Sequence, residues 1–274
     1  MSHVHPILRV MSFNIRYGLA EDGLNRWENR KELVLGRIRE YWPDLLGLQE
    51  CRDDAQADYL RENLADYHFH GVRRGGGDQT DLEMAPILFR RDVFQLLDAG
   101  CFWLSRTPQQ PGSKGWDAVF ARTATWCRLL HRETGQSLVF LNTHFDYQSA
   151  AIRGAARLLR RWAEETSRQL PVVICGDFNA EKHSAAYRQL TAGSLLLDAH
   201  RQAHPGQEDQ PTFHAYGQED QLMVIDWLLV SNHFKVQAAG VDMVHEGARY
   251  PSDHYPIWAG IEWQEIRPEN SAAN

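Results

Sequence analysis

Short apolar runs, separated by polar stretches containing Gly or Pro, recur along the whole chain. Eight of them, at residues 7–13, 44–49, 86–90, 124–131, 137–143, 171–175, 224–230 and 257–263, have the length and the β-branched or aromatic content of strands. LVFL at 138–141 and VVIC at 172–175 are apolar without a break, which predicts strands covered on both faces. Between the strands lie helical patterns. Leu33, Val34, Ile38 and Tyr41 recur at helical spacing within 27–42, Asn25 and Glu28 form a capping-box pair, and Pro43 ends the segment. Ile152, Ala155, Ala156, Leu159, Trp162 and Ala163 trace one face of a helix over 150–170, with Ser149 as its N-cap. A third, shorter helix is expected over 54–64. Strands and helices mixed in this way predict an α/β or α+β layered fold. No repeat or linker divides the chain, so one domain is expected over 7–266, with a disordered tail at 267–274. The loops at 73–83, 105–117 and 200–221 are long for a compact domain, and at least some are expected to carry function.

Composition narrows the class. With 43% hydrophobic and 24% charged residues the chain has a globular balance, and no run approaches the length of a membrane span. The first ten residues lack an apolar signal-peptide core, so none is expected. Cys51, Cys101, Cys127 and Cys175 form no CxxC pair and no disulfide framework, which favours a reducing, cytoplasmic setting. The formal charge of −7 argues against a protein that grips duplex DNA through its phosphates. All but four of the 29 cationic residues are Arg, a bias that genome composition explains as well as phosphate recognition does. No membrane partner and no protein partner are indicated.

Polar residues gather where strands end. Asn14, Glu50, His144 with Asp146, and Asp177 with Asn179 each close or follow an apolar run, and Asp253-His254 precedes the last one. Singly, such residues are turn formers or helix caps. Asp226 is different, because Ile225 and Trp227 flank it inside an apolar strand. A buried carboxylate is costly unless paired, so a cationic or imidazole partner is expected. As a set, Glu50, Asp177 and Asp253 offer hard oxygens, which suit Mg²⁺ or Mn²⁺ better than zinc, and His144 and His254 offer proton transfer near neutral pH. A divalent cation, a carboxylate to orient water and an imidazole acid are the parts that hydrolyse a phosphate ester.

At these residues the sequence resembles the endonuclease/exonuclease/phosphatase superfamily, which includes pancreatic deoxyribonuclease, apurinic endonucleases, neutral sphingomyelinases, inositol polyphosphate 5-phosphatases and the deadenylase–nocturnin branch. The matching motifs stand in the family's order: SFNIRYG at 12–18, GLQE at 47–50, NTHFD at 142–146, GDFN at 176–179, IDWLLVS at 225–231 and SDHYP at 252–256. FWLS at 102–105, GWD at 115–117 and RTATW at 122–126 resemble one mostly bacterial subgroup. The resemblance implies a four-layer α-β-β-α sandwich with the active site at one end. It implies Glu50 as the main metal ligand, helped by Asn14 and Asp253. Asp177 is implied to orient or deprotonate the attacking water, Asn179 to hold the phosphate, and His254, oriented by Asp226, to protonate the leaving oxygen. His144 matches a second imidazole that is paired, in the deoxyribonuclease-like members, with a carboxylate at the position of Glu83.

The expected activity is hydrolysis of a phosphodiester in a nucleotide, a short single strand or another small phosphate ester. A phosphomonoesterase acting on a sugar or inositol phosphate is the alternative, and an inactive binding protein of the same fold a further one. Arg122 is expected to clamp a phosphate, Trp103 or Trp116 to stack on a base or sugar, and residues 211–214 to line the pocket rim. From the charge balance, duplex DNA should bind weakly, with a shallow fall of log affinity against log salt. A slope equivalent to six or more released counterions, at roughly 0.9 per phosphate, would overturn this.

Overall fold

The computed structural model describes residues 6–264; the expected tail at 267–274 and the last residues of the expected domain lie outside them. In chain order the first half contains β1 (Leu8–Asn14), α1 (Trp27–Tyr41), β2 (Leu45–Gln49), β3 (Cys51–Arg52), α2 (Ala55–Asn63), β4 (Tyr67–His70), β5 (Glu83–Met84), β6 (Ile87–Arg90), β7 (Phe94–Trp103) and β8 (Thr123–His131). It continues with β9 (Ser137–His144), α3 (Ser149–Ser167), β10 (Val172–Asp177), α4 (Ala185–Thr191), β11 (Leu196–Asp198), α5 (Ala199–Ala203), β12 (Asp226–Ser231), β13 (Phe234–Val241) and β14 (Ile257–Trp263). The eight expected strands are all present, each within two residues of its expected bounds.

Two six-stranded sheets, ordered β13-β14-β1-β2-β6-β4 and β11-β12-β10-β9-β8-β7, make up the centre of the fold. Each holds one parallel pair, β1 with β2 and β9 with β10, among antiparallel neighbours. Alternation along the strands sorts their side chains into layers. Leu8, Val10, Leu45, Leu138, Phe140, Val173, Leu228 and Val230 meet between the sheets. Met11, Phe13, Leu46 and Leu48 point the other way, under α1 and α2. Leu141, Val172, Ile174, Trp227 and Leu229 pack beneath α3 and α4. The result is the expected α-β-β-α sandwich. No helix among the described residues is long and apolar enough to cross a membrane.

Strands β7 and β13 escaped the sequence reading for a physical reason. Each flanks the rest of its sheet at or near the edge, exposes much of its length, and carries a bulge, between Leu96 and Asp98 and between Val236 and Ala238. Bulges and solvated edges break the two-residue period on which the reading relied. Two expected caps also differ. Arg26, not Asn25, precedes α1, and Asn25 Oδ1 instead accepts from Tyr250 N at 2.9 Å. For α3 the cap position is Gln148, and Asp117 Oδ1 and Oδ2, from a distant loop, accept from Ala151 N and Ala150 N. Long-range carboxylates are invisible to a local capping rule. The expected cap of the third helix is present, with Asp54 accepting from Gln56 N.

Toward one end of the sandwich the layer between the sheets turns from apolar to polar. Asn142 on β9 reaches across, donating from Nδ2 to Leu48 O at 2.7 Å and Pro86 O at 2.8 Å, while its Oδ1 accepts from Gln49 Nε2 at 2.7 Å. The crossing needs a strand without a side chain opposite. Gly47 supplies it: a Cβ there would lie 2.4 Å from Cys175 Sγ and 2.8 Å from Asn142 Cγ. Gly47→Ala should therefore cost about 1–3 kcal/mol by overpacking. Roughly 2–4 °C of Tm per kcal/mol makes that visible in a thermal melt, and an unchanged Tm would show that the two sheets are not locked at this point.

Candidate active site

Strand register builds the site. On β9, β10 and β12, His144, Asp177 and Asp226 are direct partners in neighbouring strands, forming one row across the second sheet. In the first sheet Asn14 pairs with Gln49, one residue before Glu50. Asn14, His144 and Asp177 follow the inward-facing Val10, Phe140 and Val173 by four, and Asp226 precedes the inward-facing Leu228 by two, so these four project into the same end of the inter-sheet layer. Gly176, just before Asp177, permits the close approach of β9: its φ is +156°, and a Cβ would lie 2.1 Å from Thr143 O. Glu50 and Asn179 hold left-handed backbone at φ +57° and +47°, and such strain in non-glycine residues concentrates at functional sites.

Asp177 is the centre of the cluster. Its Oδ2 accepts from Asn14 Nδ2 at 3.0 Å, with His144 Nε2 at 3.3 Å and His254 Nε2 at 3.7 Å, and its Oδ1 accepts from Asn179 N at 2.9 Å. Burial and the charge of Asp226 push this carboxyl above the usual range. Behind it, His254 Nδ1 donates to Asp226 Oδ2 at 2.9 Å, the partner that a carboxylate inside an apolar strand requires. Burial alone would lower the His254 imidazole, but the charge and hydrogen bond of Asp226, with Asp177 and Asp253, push it up to about 10. Thr212 Oγ1 accepts from Ile225 N and Asp226 N, both at 3.1 Å, fixing the start of β12.

His144 is held differently from expectation. Its Nδ1 accepts from the Arg122 guanidinium at 2.9 Å, and Glu83 Oε1 stands 3.7 Å away, so Arg122 is inserted between the expected pair. Burial and the charges of Arg122 and Arg74 hold His144 well below the ordinary imidazole range, which leaves it a neutral donor through Nε2. Arg74 and Arg122 both reach Glu83, and burial nonetheless pushes that carboxyl up to about 7. Arg122 does line the cavity where a phosphate would lie, but as one member of this network.

The cavity over the cluster has a volume of about 560 Å³. Glu50, Glu83, Arg122, His144, Asp177, Asn179, Asp253 and His254 all line it, and so does Phe213 from the expected rim segment. Trp103 and Trp116 do not. Trp103 is buried and donates from Nε1 to Arg74 O at 2.7 Å, while the Trp116 ring packs over Gly154 of α3. Neither indole lines this cavity, where the expected stacking on a base or sugar would take place. Arg74, Phe120, Tyr147 and Met223, which also line the cavity, went unnoticed in the sequence because nothing local marks them, and Arg16, inside the SFNIRYG motif, was given no role of its own.

The donor set can be tested for a cation. Two groups of acidic and imidazole donors converge within 4.8 Å, Glu50 with His144 and Asp177, and Asp177 with Asp226 and His254. Burial raises Asp253 as well as Asp177, with the charge of Glu50 adding to the effect on Asp253. Crowded hard oxygens, on carboxyls that burial raises at Asp177 and Asp253, fit a divalent cation. Asn14 Oδ1 accepts from Arg16 N, and its Nδ2 donates to Glu50 and Asp177. Asp253 lies outside both groups and is 3.4 Å from Arg16.

Comparison with known proteins agrees with this geometry. The Endonuclease/Exonuclease/phosphatase family profile matches residues 11–254. The chain is similar to the endonuclease/exonuclease/phosphatase of Bacteroides vulgatus, at 34% identity and a TM-score of 0.87, covering 94% of this chain and 99% of that one. It is similar to a mannosyl-6-phosphatase of Bacteroides thetaiotaomicron, at 31% identity and a TM-score of 0.84, over 93% and 100% of the two chains. To the Ccr4 3'-5'-exoribonuclease subunit of the CCR4-Not complex of Emericella nidulans it is 25% identical over 236 residues, 66% of this chain and 35% of that protein. The chain thus spans about a third of the length of the Ccr4 relatives it matches.

Because a cation bound here would neutralise crowded carboxylates in the folded state alone, Mg²⁺ or Mn²⁺ should raise the Tm of chelator-treated protein as concentration increases. Glu50→Gln should weaken that rise. A wild-type melt that is indifferent to either ion would count against the cation site.

Proposed function

The chain belongs to the endonuclease/exonuclease/phosphatase family, and on that premise we propose that it is a divalent-metal-dependent phosphoesterase that cleaves a compact phosphate ester by attack of water on phosphorus. The observation that carries the reading is the Asp226–His254 pair set 3.7 Å from Asp177: an imidazole whose proton affinity its carboxylate partners raise, beside a carboxyl with raised proton affinity. Two groups whose environments push them in useful directions are the parts of acid–base chemistry.

Glu50, with Asp177 and Asp253 near it, would hold Mg²⁺ or Mn²⁺, which supplies Lewis-acid polarisation of a phosphoryl oxygen when bound. Asp177 orients the attacking water and takes its proton. Asn179, whose Nδ2 is anchored on Phe145 O at 2.9 Å, and Arg122 hold the phosphoryl group. His254 gives its proton to the leaving oxygen, and Asp226 keeps the imidazole charged and oriented. His144, neutral, donates to the Asp177 carboxylate and steadies it. A cavity of about 560 Å³ matches the size range of small-molecule sites, which suits a nucleotide or a sugar phosphate better than a duplex. Both a small phosphodiester and a sugar phosphomonoester fit by size. The whole-length likeness to a mannosyl-6-phosphatase favours the monoester, whereas the Ccr4 likeness covers a third of that protein. Four free cysteines, three of them buried, support a reducing, cytoplasmic setting.

The test separates acid catalysis from charge stabilisation. Removing a general acid typically costs on the order of 10²–10⁴-fold, so His254→Ala should lose about that much on an alkyl phosphate ester. On a p-nitrophenyl ester, whose phenolate leaves without a proton, the loss should be markedly smaller, and Asp226→Asn should follow the same pattern more mildly. Equal losses on both esters would show that His254 acts by binding the phosphoryl group and not as an acid.

A further inference from the structure

The chemistry proposed above occupies the floor of the cavity and leaves one wall without a task. On that wall Phe120 and Tyr147 remain 37% and 51% exposed. Their ring centroids are 6.3 Å apart, edge to face at 71°. The guanidinium carbons of Arg74 and Arg122 stand over the Phe120 ring at 4.6 and 5.3 Å, so the wall joins aromatic surface to the cations that flank the phosphoryl position.

The placement of this wall is rigid. Asp146, 2% exposed, accepts through Oδ2 from Val119 N at 3.1 Å and Phe120 N at 3.0 Å. Its Oδ1 accepts from Gln148 N at 3.0 Å, across Tyr147. One buried carboxylate therefore sets both aromatic residues, two positions after His144 on β9. Trp103 Nε1 holds the Arg74 carbonyl from behind. Phe213, Met223 and Ile225 also line the cavity, on the His254 side; the Phe213 and His254 rings meet edge to face at 4.9 Å. Phe120 and Tyr147 line the same cavity as Asn179 and His254, so a phosphate ester with its phosphorus at those two residues has preorganised aromatic surface within the cavity for its remaining bulk.

We infer that Phe120 and Tyr147 are specificity residues for a ring: the substrate is a phosphate ester carrying a flat-faced ring, sugar or nucleobase, that lies against them. This rests on the phosphoesterase reading and adds to it the residues that select a ring-bearing ester. Sugar rings present C–H faces and nucleobases π faces to an aromatic wall, so the contact is common to both and experiment divides them.

The experiment compares kcat/KM of the metal-loaded enzyme on three primary phosphate esters of similar leaving group: a hexose phosphate, a nucleoside monophosphate and glycerol phosphate. Wild type should prefer one ring-bearing ester over glycerol phosphate, and the preferred one names the ring. Aromatic stacking worth about 1–3 kcal/mol corresponds to roughly 5–150-fold. Tyr147→Ala and Phe120→Leu should lose a factor in that range on the ring-bearing ester, mainly through KM, with little change on glycerol phosphate. Tyr147→Phe, which keeps the ring, should retain the preference. Equal losses on all three esters, or no ring preference in wild type, would overturn the inference while leaving the phosphoesterase reading standing. Absence of turnover on every ester would instead count against that reading, and calorimetric binding of the hexose phosphate and the nucleoside monophosphate, each against glycerol phosphate, to wild type and Tyr147→Ala then decides the ring subsite alone.

Discussion

Carboxylates buried between two sheets are the constraint on which the rest of this structure depends. Asp177, Asp226 and Asp253 are buried at one end of a layer that is otherwise apolar, with the half-buried Glu50 beside them, and each buried one would be intolerable there without partners. The fold supplies them from strands far apart in sequence. Asp226 receives His254, Asp177 receives Asn14 and the neutral His144, and Glu50 accepts from Asn14 Nδ2 and Tyr17 N. Removing one partner from such a set leaves a buried charge uncompensated, which is why the cluster behaves as a unit and not as separate residues. The same crowding that is costly for stability raises the proton affinity of Asp177 and of His254, so the electrostatic strain and the acid–base chemistry proposed for the site are one property.

The positions of these residues follow from the two central parallel pairs. In β1, Leu8, Val10, Ser12 and Asn14 share the inner face; in β9, Leu138, Phe140, Asn142 and His144 do. Polarity thus rises along each strand toward the same end of the sandwich. That gradient was legible in the sequence, because an apolar run ending in Asn, Glu, Asp or His recurs where its neighbours do the same. Asp226 was legible for a sharper reason: a carboxylate within an apolar strand demands a partner, and His254 provides it. The layer below, where Asn142 crosses to the first sheet and Gly47 makes room, was not read, although both residues stand inside quoted motifs.

What stayed hidden shares a single cause. Arg74, Phe120 and Tyr147 lie in loops whose composition resembles any polar surface segment, and their convergence is set by contacts across the fold. Arg122 was noticed as a cation near a strand, yet its insertion between Glu83 and His144 depends on β5 and β8 meeting His144 of β9 at the rim. The tryptophans misled for the converse reason. Trp103 and Trp116 have the chemistry of stacking residues, but Trp103 is buried with its N–H on Arg74 O, and Trp116 packs over Gly154, away from the cavity.

Arg30 shows how the floor of the site is kept in register. It sits on α1, is 1% exposed, and finds no carboxylate: its donors go to the carbonyl oxygens of Ile15, Arg16, Asn25 and Pro251. Those carbonyls belong to the segment after Asn14 and to the segment two residues before Asp253. A guanidinium, planar and with five donors, can tie separate backbones together in a way that an ammonium cannot. Burial lowers its proton affinity, and the charges of Asp22, Asp253 and Glu50 oppose that loss. The cation is therefore stabilised by the acidic site it supports, while the carboxylates gain a fixed positive charge beneath them that solvent does not screen. The N-terminal and C-terminal ends of the chain, which supply Asn14 and His254, are held together through this one side chain as well as through the pairing of β1 with β14.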